Sequence, residues 1–527
     1  SLSPLNGYLR RITYYPRRLS NAELQALTAG VAVPADASLD LNFVGNANGY
    51  YEGRIQQPAN VQRTAFSSYA TTGRSQIGFG NLVLTNMDGG LDALLDYSFA
   101  GRAITIRLGE VLPNSGGTPA WVTVIKGTME QAEFSWQKVT VRVRDRQQDL
   151  AKPLQQVRYA GNNSLPAGLE GVEGDIKGRP KPLVFGQVFN APITLVNTSR
   201  LIYQAHDGSA LQSVDAVYDR GAVLTAGAAY SSQADMETNA PSAGQYRAWN
   251  SAAGAYIRLG STPAGTVTAD LTQGAAASNR TAGQLWNAIL TKAGVAAGDI
   301  SSADVTALDA AVAYPCGVFC ATDYDMTALE AADIVCGSVG AWFGSDALGV
   351  FRLGRLVLPT GTSVGTINAT DIISIERVAS RDPGVGIPAW KVKLGYQRIW
   401  EVQPDTTANV TAVRKGYLAQ EYRRIEASDS AVLSANLTSP EIEQLTTLVS
   451  ATDASAEASR RLTIYKTRRD MIDVRVRVDA ALASVLDIGK IVTLQVNRYG
   501  LSAGKKFLII GLRTDMRGRL FDLTLWG

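Results

Sequence analysis

Histidine is the scarcest chemical resource in this 527-residue chain: there is one, His206. That excludes every mechanism needing two histidines, the HExxH zinc sites included. Cysteine is nearly as rare. Cys316, Cys320 and Cys336 are an odd number in a long chain, which argues against a disulfide framework and for a reducing compartment. Charged residues make up 18%, below the ~25% of an average soluble chain. No apolar run approaches the ~18–20 residues a membrane span needs. The opening SLSPLNGYLRR lacks the basic-then-apolar order of a secretory signal. No Walker A motif or strand–GxGxxG–helix unit is present.

What the chain does have is material for strands and turns. Gly numbers 50, Thr, Ser and Val are abundant, and 46% of residues are hydrophobic. At this length several domains are expected. The expected fold class is mainly β with an α+β insertion: a multidomain chain with two tube-like antiparallel β-barrel domains and a small α+β domain. Five segments are proposed. Residues 1–34 pair a strand-like Leu9, Ile12, Tyr14 alternation with a capping box, Ser20-Asn-Ala-Glu23, and a helix stopped by Gly30. This piece is too small for a core of its own and reads as a docking arm or module remnant. Residues 35–150 form the first barrel, with a turn at Asn48-Gly49 and strands such as Val139-Thr-Val-Arg-Val-Arg144. Residues 151–255 read as a β-rich connector, with Pro180, Pro182 and Pro192 around the run Leu183-Val-Phe185. Residues 256–370 read as the α+β domain, with capping signals at Thr281 and Thr327 and a hairpin through Trp342 and Phe351. Residues 371–527 form the second barrel, preceded by a helix that starts near Ser439-Pro440 and carries Ala454, Ala458, Leu462 and Tyr465. There Ile472, Val474, Val476 and Val478 alternate with Asp473, Arg475, Arg477 and Asp479, a half-buried antiparallel strand.

Charge is uneven. Between Leu201 and Ser380 there are 8 Lys/Arg against 16 Asp/Glu, and between Arg460 and Gly527 there are 14 against 6. Opposite patches of this kind serve subunit docking or are simply solvated surface. Candidate chemistry is sparse. A Ser-His-Asp triad would have to use His206, yet no G-x-S-x-G elbow accompanies it, and His206 reads as a turn residue beside Asp207-Gly208. Cys316-x3-Cys320 with Cys336 are the candidates for a metal or cluster site. Buried small hydrophobes are the more frequent reading of cysteines in apolar runs. Asp323 and Asp325 have the form of a carboxylate pair, but charges before a helix more often serve as capping partners. Arg142/Arg144 and Arg475/Arg477 can touch phosphates, although interleaved acids favour a solvated or subunit-facing sheet. No catalytic, cofactor or metal residue is assigned, and the chain reads as a non-enzyme.

Three stretches carry a resemblance: GGLDALLDYSFAGRAITIRLGE, DIKGRPKPLVFGQVFNAPITLVN and YIRLGSTPAGTVTADL, together with the closing Leu523-Thr-Leu-Trp526-Gly527. They resemble signatures of tail-tip and baseplate hub proteins of long-tailed, siphophage-like bacteriophages. The resemblance implies a structural virion protein at the tail tip, made in the host cytoplasm. It implies a ring, typically a homotrimer, whose two barrels per subunit match the sixfold tail tube. Its expected neighbours are the distal tail protein, the tape measure protein, and the central fibre or receptor-binding parts, with phage DNA passing through the channel at ejection. Some related hubs carry an iron–sulfur cluster, for which only three cysteines are available here. Separately, LRRITYYPRRLSNAELQALTAG resembles the end of a concanavalin-like, laminin-G-type module. That keeps an alternative open: a receptor- or carbohydrate-binding tail protein involved in host attachment.

Overall fold

The computed structural model describes residues 53–66, 71, 75–110, 120–144, 146–378, 386–478, 480–515 and 520–527. The expected arm of residues 1–34 and the turn at Asn48-Gly49 lie outside them. The chain is mainly β, with two curled, half-barrel sheets and few helices.

The first sheet is built from β1 (Ile55–Gln57), β4 (Leu82–Thr85), β5 (Ala103–Glu110), β6 (Ala120–Phe134) and β7 (Lys138–Arg144), in the order β1-β4-β7-β6-β5. Its alternation does what the sequence predicts: Val139, Val141 and Val143 are buried, whereas Arg142 is exposed. Between β1 and β4 the chain makes a hairpin, β2 (Val61–Thr64) and β3 (Gln76–Phe79), that leaves this sheet. It pairs instead with a strand more than 400 residues later.

The central part holds β8 (Leu183–Pro192), β9 (Thr194–Asn197), β10 (Ile202–Asp207), β11 (Ser213–Asp219), β12 (Ala222–Val223), β13 (Thr225–Ala226), β14 (Gln245–Ser251), β15 (Gly254–Leu259), β16 (Val267–Thr272) and β17 (Gly317–Cys320). They form two five-stranded sheets, β13-β14-β15-β10-β9 and β12-β11-β16-β8-β17. The run Leu183-Val-Phe185, expected as a connector, is the start of β8, hydrogen-bonded on both sides and buried. The expected boundary between residues 255 and 256 falls inside β15, whose partners β10 and β14 both lie on the earlier side. A short helix at Gln233–Thr238, within the segment expected to be β-rich, is capped by Ser232.

Helices Ala282–Lys292, Ser302–Ala311 and Ala328–Ser338 pack around Trp286, Ile289 and Val335, each fully buried. Thr281 and Thr327 cap the first and third by accepting from the amides of Gln284 and Glu330. The hairpin β18 (Ala341–Ser345) and β19 (Phe351–Arg355) closes this layer, as expected from Trp342 and the glycine-rich turn.

The last part contains β20 (Thr366–Asn368), β21 (Ile372–Val378), β22 (Lys391–Tyr396), β23 (Arg423–Ser428), β24 (Glu441–Leu445), β25 (Met471–Arg477), β26 (Ile491–Gln495), β27 (Lys505–Asp515) and β28 (Leu520–Trp526). The helix here starts at Ala451, not near Ser439: Glu441–Leu445 is a strand that adds parallel to β22. The expected helical face is correct, with Ala454, Ala458, Leu462 and Tyr465 all buried. The large sheet runs β20-β26-β27-β28-β25-β21, and β2-β3 attaches to the far half of β27. There Ala65 N–H donates to Ile510 O at 2.7 Å and Arg63 Nη1 meets Asp487 Oδ1 at 2.6 Å.

The two curled sheets follow one path. Each begins with an edge strand (β1, β21), then a strand beside it (β4, β25). A short helix follows (Asp92–Leu94, Ala480–Ala483), and three more antiparallel strands complete the sheet. The order β4-β7-β6-β5 matches β25-β28-β27-β26. The irregularities match too. Ile55 and Gln57 face Leu84 and Val83 across a bulge, as Ile372 and Ser374 face Val476 and Arg475. β6 is irregular just after Met129, and β27 just after Ile509.

Candidate functional site

The cysteines sit where apolar residues would. Cys316 and Cys320 flank and end β17, Cys336 lies on helix Ala328–Ser338, and all three are reduced and buried in the central core. Burial pushes the thiols of Cys316 and Cys320 up to about 12, and that of Cys336 well above its usual value. Cys320 Sγ points at Met326 Sδ, 3.8 Å away, and Cys316 Sγ at the carbonyl of Tyr314, 3.7 Å away. Among the described residues, no three His, Cys, Asp or Glu side chains are grouped to hold a metal. The residues present do not fit an iron–sulfur cluster.

His206 is on β10, not in a turn, and is 2% exposed. Val184 N–H donates to its Nδ1 at 2.9 Å, which leaves the proton on Nε2, 2.8 Å from Ser209 Oγ. Burial, helped by the nearby charge of Lys292, brings its pKa down to about 4. Nδ1 thus ties β10 to β8, while Nε2 is held by the turn that follows β10. The neighbouring Lys181 bonds Glu170 at 2.6 Å and lies 4.0 Å from Asp207. Burial raises the carboxyl of Asp207 against the pull of Lys181.

Gly361-Thr-Ser363-Val-Gly365 has the G-x-S-x-G spacing, but it lies in the loop before β20 and no helix follows it. Ser363 Oγ donates to Gly365 O at 2.7 Å. A nucleophile elbow requires a strand-to-helix turn, and this loop is not one. The acids Asp323 and Asp325 are not brought together on a ligand: Asp325 accepts both bonds of an ion pair with Arg158, at 2.8 and 2.9 Å. Arg142 pairs with Glu133 across β6 and β7, and Arg475 with Asp522 across β25 and β28 at 3.5 Å. Arg142 and Arg475 are thus cross-strand ion-pair partners.

The strongest polar feature has no sequence signature. Glu457, fully buried on helix Ala451–Tyr465, accepts from Arg355 at 2.5 Å, Arg460 at 2.7 Å and Arg461 at 2.7 Å. The same guanidiniums donate to the carbonyls of Gly337, Ser338 and Val339, where helix Ala328–Ser338 ends. They thereby satisfy acceptors every helix C-terminus leaves open. Burial raises the Glu457 carboxyl, yet bonds to Arg460 and the charges of Arg461, Arg460 and Arg355 outweigh it and hold it below its usual range. Burial and the charge of Arg460 bring Arg355 down to about 10, still protonated at neutral pH. Beside this knot is a cavity of about 160 Å³, lined in part by Phe66, Asp333, Leu356, Arg460 and Tyr465.

What the described surface offers is therefore edges and rims. At the end of the first sheet, Trp136 is 92% exposed and Met87 75% exposed. The bond from Asn86 N–H to Gln137 O joins their two turns. Val413 and Leu437 are likewise exposed in the last part.

No protein-family model and no curated protein matches the chain. Among solved structures it is similar to the 43 kDa tail protein of prophage MuSo2 from Shewanella oneidensis, at 12% identity and TM-score 0.40, covering 90% of this chain and 93% of that one. It is similar to a chain of a native gene transfer agent virion, at 14% identity and TM-score 0.42, covering 71% and 91%. A tail protein from Neisseria meningitidis MC58 gives 10% identity and TM-score 0.36, covering 90% and 95%.

Proposed function

We propose that the chain is a structural subunit of a bacteriophage tail tip or baseplate, in which three copies form the hub ring that closes the tail tube. The observation that carries this reading is the repeated curled sheet. Two sheets of one topology in one chain give six matched sheets in a trimer, which is what a threefold part needs to meet a sixfold tube. Among the described residues both sheets are open, and edge strands such as β5 and β21 pair on one side only. Such edges are stable when a neighbour pairs or covers them. The hub-like stretches Gly89–Glu110, Asp175–Asn197 and Tyr256–Leu271 supply the phage context. On this reading the chain is not an enzyme and needs no cofactor. Its partners are other copies, the tail tube components, and the central fibre or receptor-binding parts, with DNA passing through the ring.

The test is a cryo-EM reconstruction of the particle that carries this chain. A threefold ring coaxial with the tube, with six curled sheets around the channel, is expected. Copies placed at the periphery and reaching outward would overturn the reading.

A further inference from the structure

Lys181 lies just before β8 and Asp207 ends β10, and the backbone holds the two side by side. Asp207 N–H donates to Pro182 O at 3.0 Å, and Val184 N–H to His206 Nδ1 at 2.9 Å. Lys181 is fixed from behind: its N–H donates to Val157 O, and its carbonyl accepts from Gln155 Nε2, both at 3.0 Å. Its side chain is 9% exposed and passes under the ring of Tyr159, 5.3 Å from the centroid. It ends 2.6 Å from Glu170 Oε1 and 4.0 Å from Asp207 Oδ1. Tyr159 and Tyr256 are buried around this group.

The two carboxyls stand in different surroundings. Glu170, 32% exposed, is the ion-pair partner of the lysine. Its Oε2 is fixed by the amide of Ala160 at 3.0 Å, which aims Oε1 at the ammonium. Asp207, 10% exposed, stands beyond hydrogen-bond distance of Nζ. Burial favours its neutral acid over the carboxylate, against the pull of Lys181. Its Oδ1 accepts from Gln204 Nε2 at 3.2 Å, and that amide is itself 3.1 Å from the Tyr256 hydroxyl. We propose that Lys181 Nζ and Asp207 Cγ join in an intramolecular amide bond, which the chain forms by itself with Glu170 carrying the protons. This does not depend on the ring reading.

The step balances without a co-reactant. Glu170 takes one proton from the Lys181 ammonium and leaves an amine with a free electron pair. A movement of about 1 Å along the flexible lysine brings Nζ into the roughly 3–3.5 Å range from which bonds form. The pair attacks Cγ of the Asp207 acid, and the negative charge that develops on Oδ1 meets the Gln204 amide. Glu170 hands its proton to the departing Oδ2 hydroxyl, which leaves as water. The nitrogen gives up a second proton to Glu170, which releases it to solvent, and the amide keeps one hydrogen. Nothing is oxidised or reduced. The product ties the start of β8 to the end of β10, the service a disulfide gives elsewhere, in a chain whose three cysteines are free.

Intact mass spectrometry of the denatured wild-type chain reads the bond directly. The expected mass is one water below that of the sequence, with a branched tryptic peptide joining Lys181 to Asp207. Asp207 precedes Gly208, and an Asp-Gly pair can lose the same water by closing a succinimide on its own backbone. Lys181→Arg separates the two, because it keeps the charge and the pairing with Glu170 but should show the full mass. Glu170→Gln should form the bond about a hundredfold more slowly. A wild-type chain that keeps its full mass through prolonged incubation at neutral pH would overturn the proposal. So would a water loss that persists in Lys181→Arg, which is the succinimide.

Discussion

Replacing Val476 with Asp tests the face assignment of the C-terminal sheet at its most constrained point. Val476 is fully buried on β25, facing Ile372 on one side and Phe521 on the other. Losing the buried valine side chain costs about 1.5–3 kcal/mol. The new carboxyl has no cation to pair with in that core, so it must be buried neutral. Protonating a carboxyl of ordinary pKa ~3.9 at pH 7 costs roughly 4 kcal/mol, at about 1.36 kcal/mol for each factor of ten. The sum, about 6 kcal/mol, rivals the whole stability of an ordinary domain, about 5–15 kcal/mol. Guanidinium unfolding, with hydrogen exchange read on peptides from β25 to β28, should therefore show this sheet open in the variant without denaturant. Arg477→Ser, one position along on the exposed side, should change stability by less than about 1 kcal/mol. An unchanged midpoint for Val476→Asp, or equal damage from Arg477→Ser, would refute the assignment.

Other expectations follow from the buried groups. Glu457→Gln leaves three guanidiniums around a neutral partner and should cost about 3–5 kcal/mol at pH 7, measured by the same unfolding. Because the folded-state pKa of Glu457 is depressed, its contribution is present above the unfolded value of 4.5 and is lost as pH falls below it. The acid loss of stability should thus be shallower in Glu457→Gln. His206 is a base with its pKa lowered from 6.5 to about 4. Its neutral form is favoured by folding, so stability is full above pH 6.5 and declines as pH falls toward 4, by about 3 kcal/mol in all. A His206→Gln chain should lack that slope in melting experiments between pH 7 and 4. Iodoacetamide should label none of the three cysteines in the folded chain at neutral pH and all three in guanidinium; rapid labelling of native Cys316 would contradict its burial. Zymography on peptidoglycan should give no clearing zone.

The parts of this fold legible in the sequence are those set by neighbours within a few residues. Strict alternation at Val139–Arg144 and Ile472–Arg477 declares which side chains enter a core, and threonine caps at Thr281 and Thr327 declare helix starts. Failures arise where a distant partner decides. Leu183-Val-Phe185 sits among prolines and looks like a connector, yet pairing to β16 and β17 makes it a central strand. Ser439-Pro440 is a fair helix start in isolation, but β22 recruits the following residues as a parallel strand. His206 beside Asp207-Gly208 suits a turn until the amide of Val184 claims its ring. The Glu457 knot joins residues from three separate stretches, and nothing local announces a buried carboxylate among three arginines.

The duplication is the most consequential feature the sequence conceals, and the reason is physical. Aligning the sheets by their shared bulges sets Leu82-Val-Leu-Thr85 against Val474-Arg-Val-Arg477, and Lys138-Val-Thr-Val-Arg-Val-Arg144 against Leu520-Phe-Asp-Leu-Thr-Leu-Trp526. Leu82 and Val474 agree in being apolar and inward, as do Leu84 and Val476, Val141 and Leu523, and Val143 and Leu525. Outward positions such as Val83 and Arg475 share nothing. A pattern of period two is common to all half-buried strands, so agreement at that level cannot mark two segments as copies. What distinguishes these sheets is strand order and the placement of bulges, both properties of pairing. The outward positions differ because each faces a different surrounding: Arg63 meets Asp487 where β2 pairs with β27, whereas at the equivalent place in the first sheet Phe99 packs on Phe134.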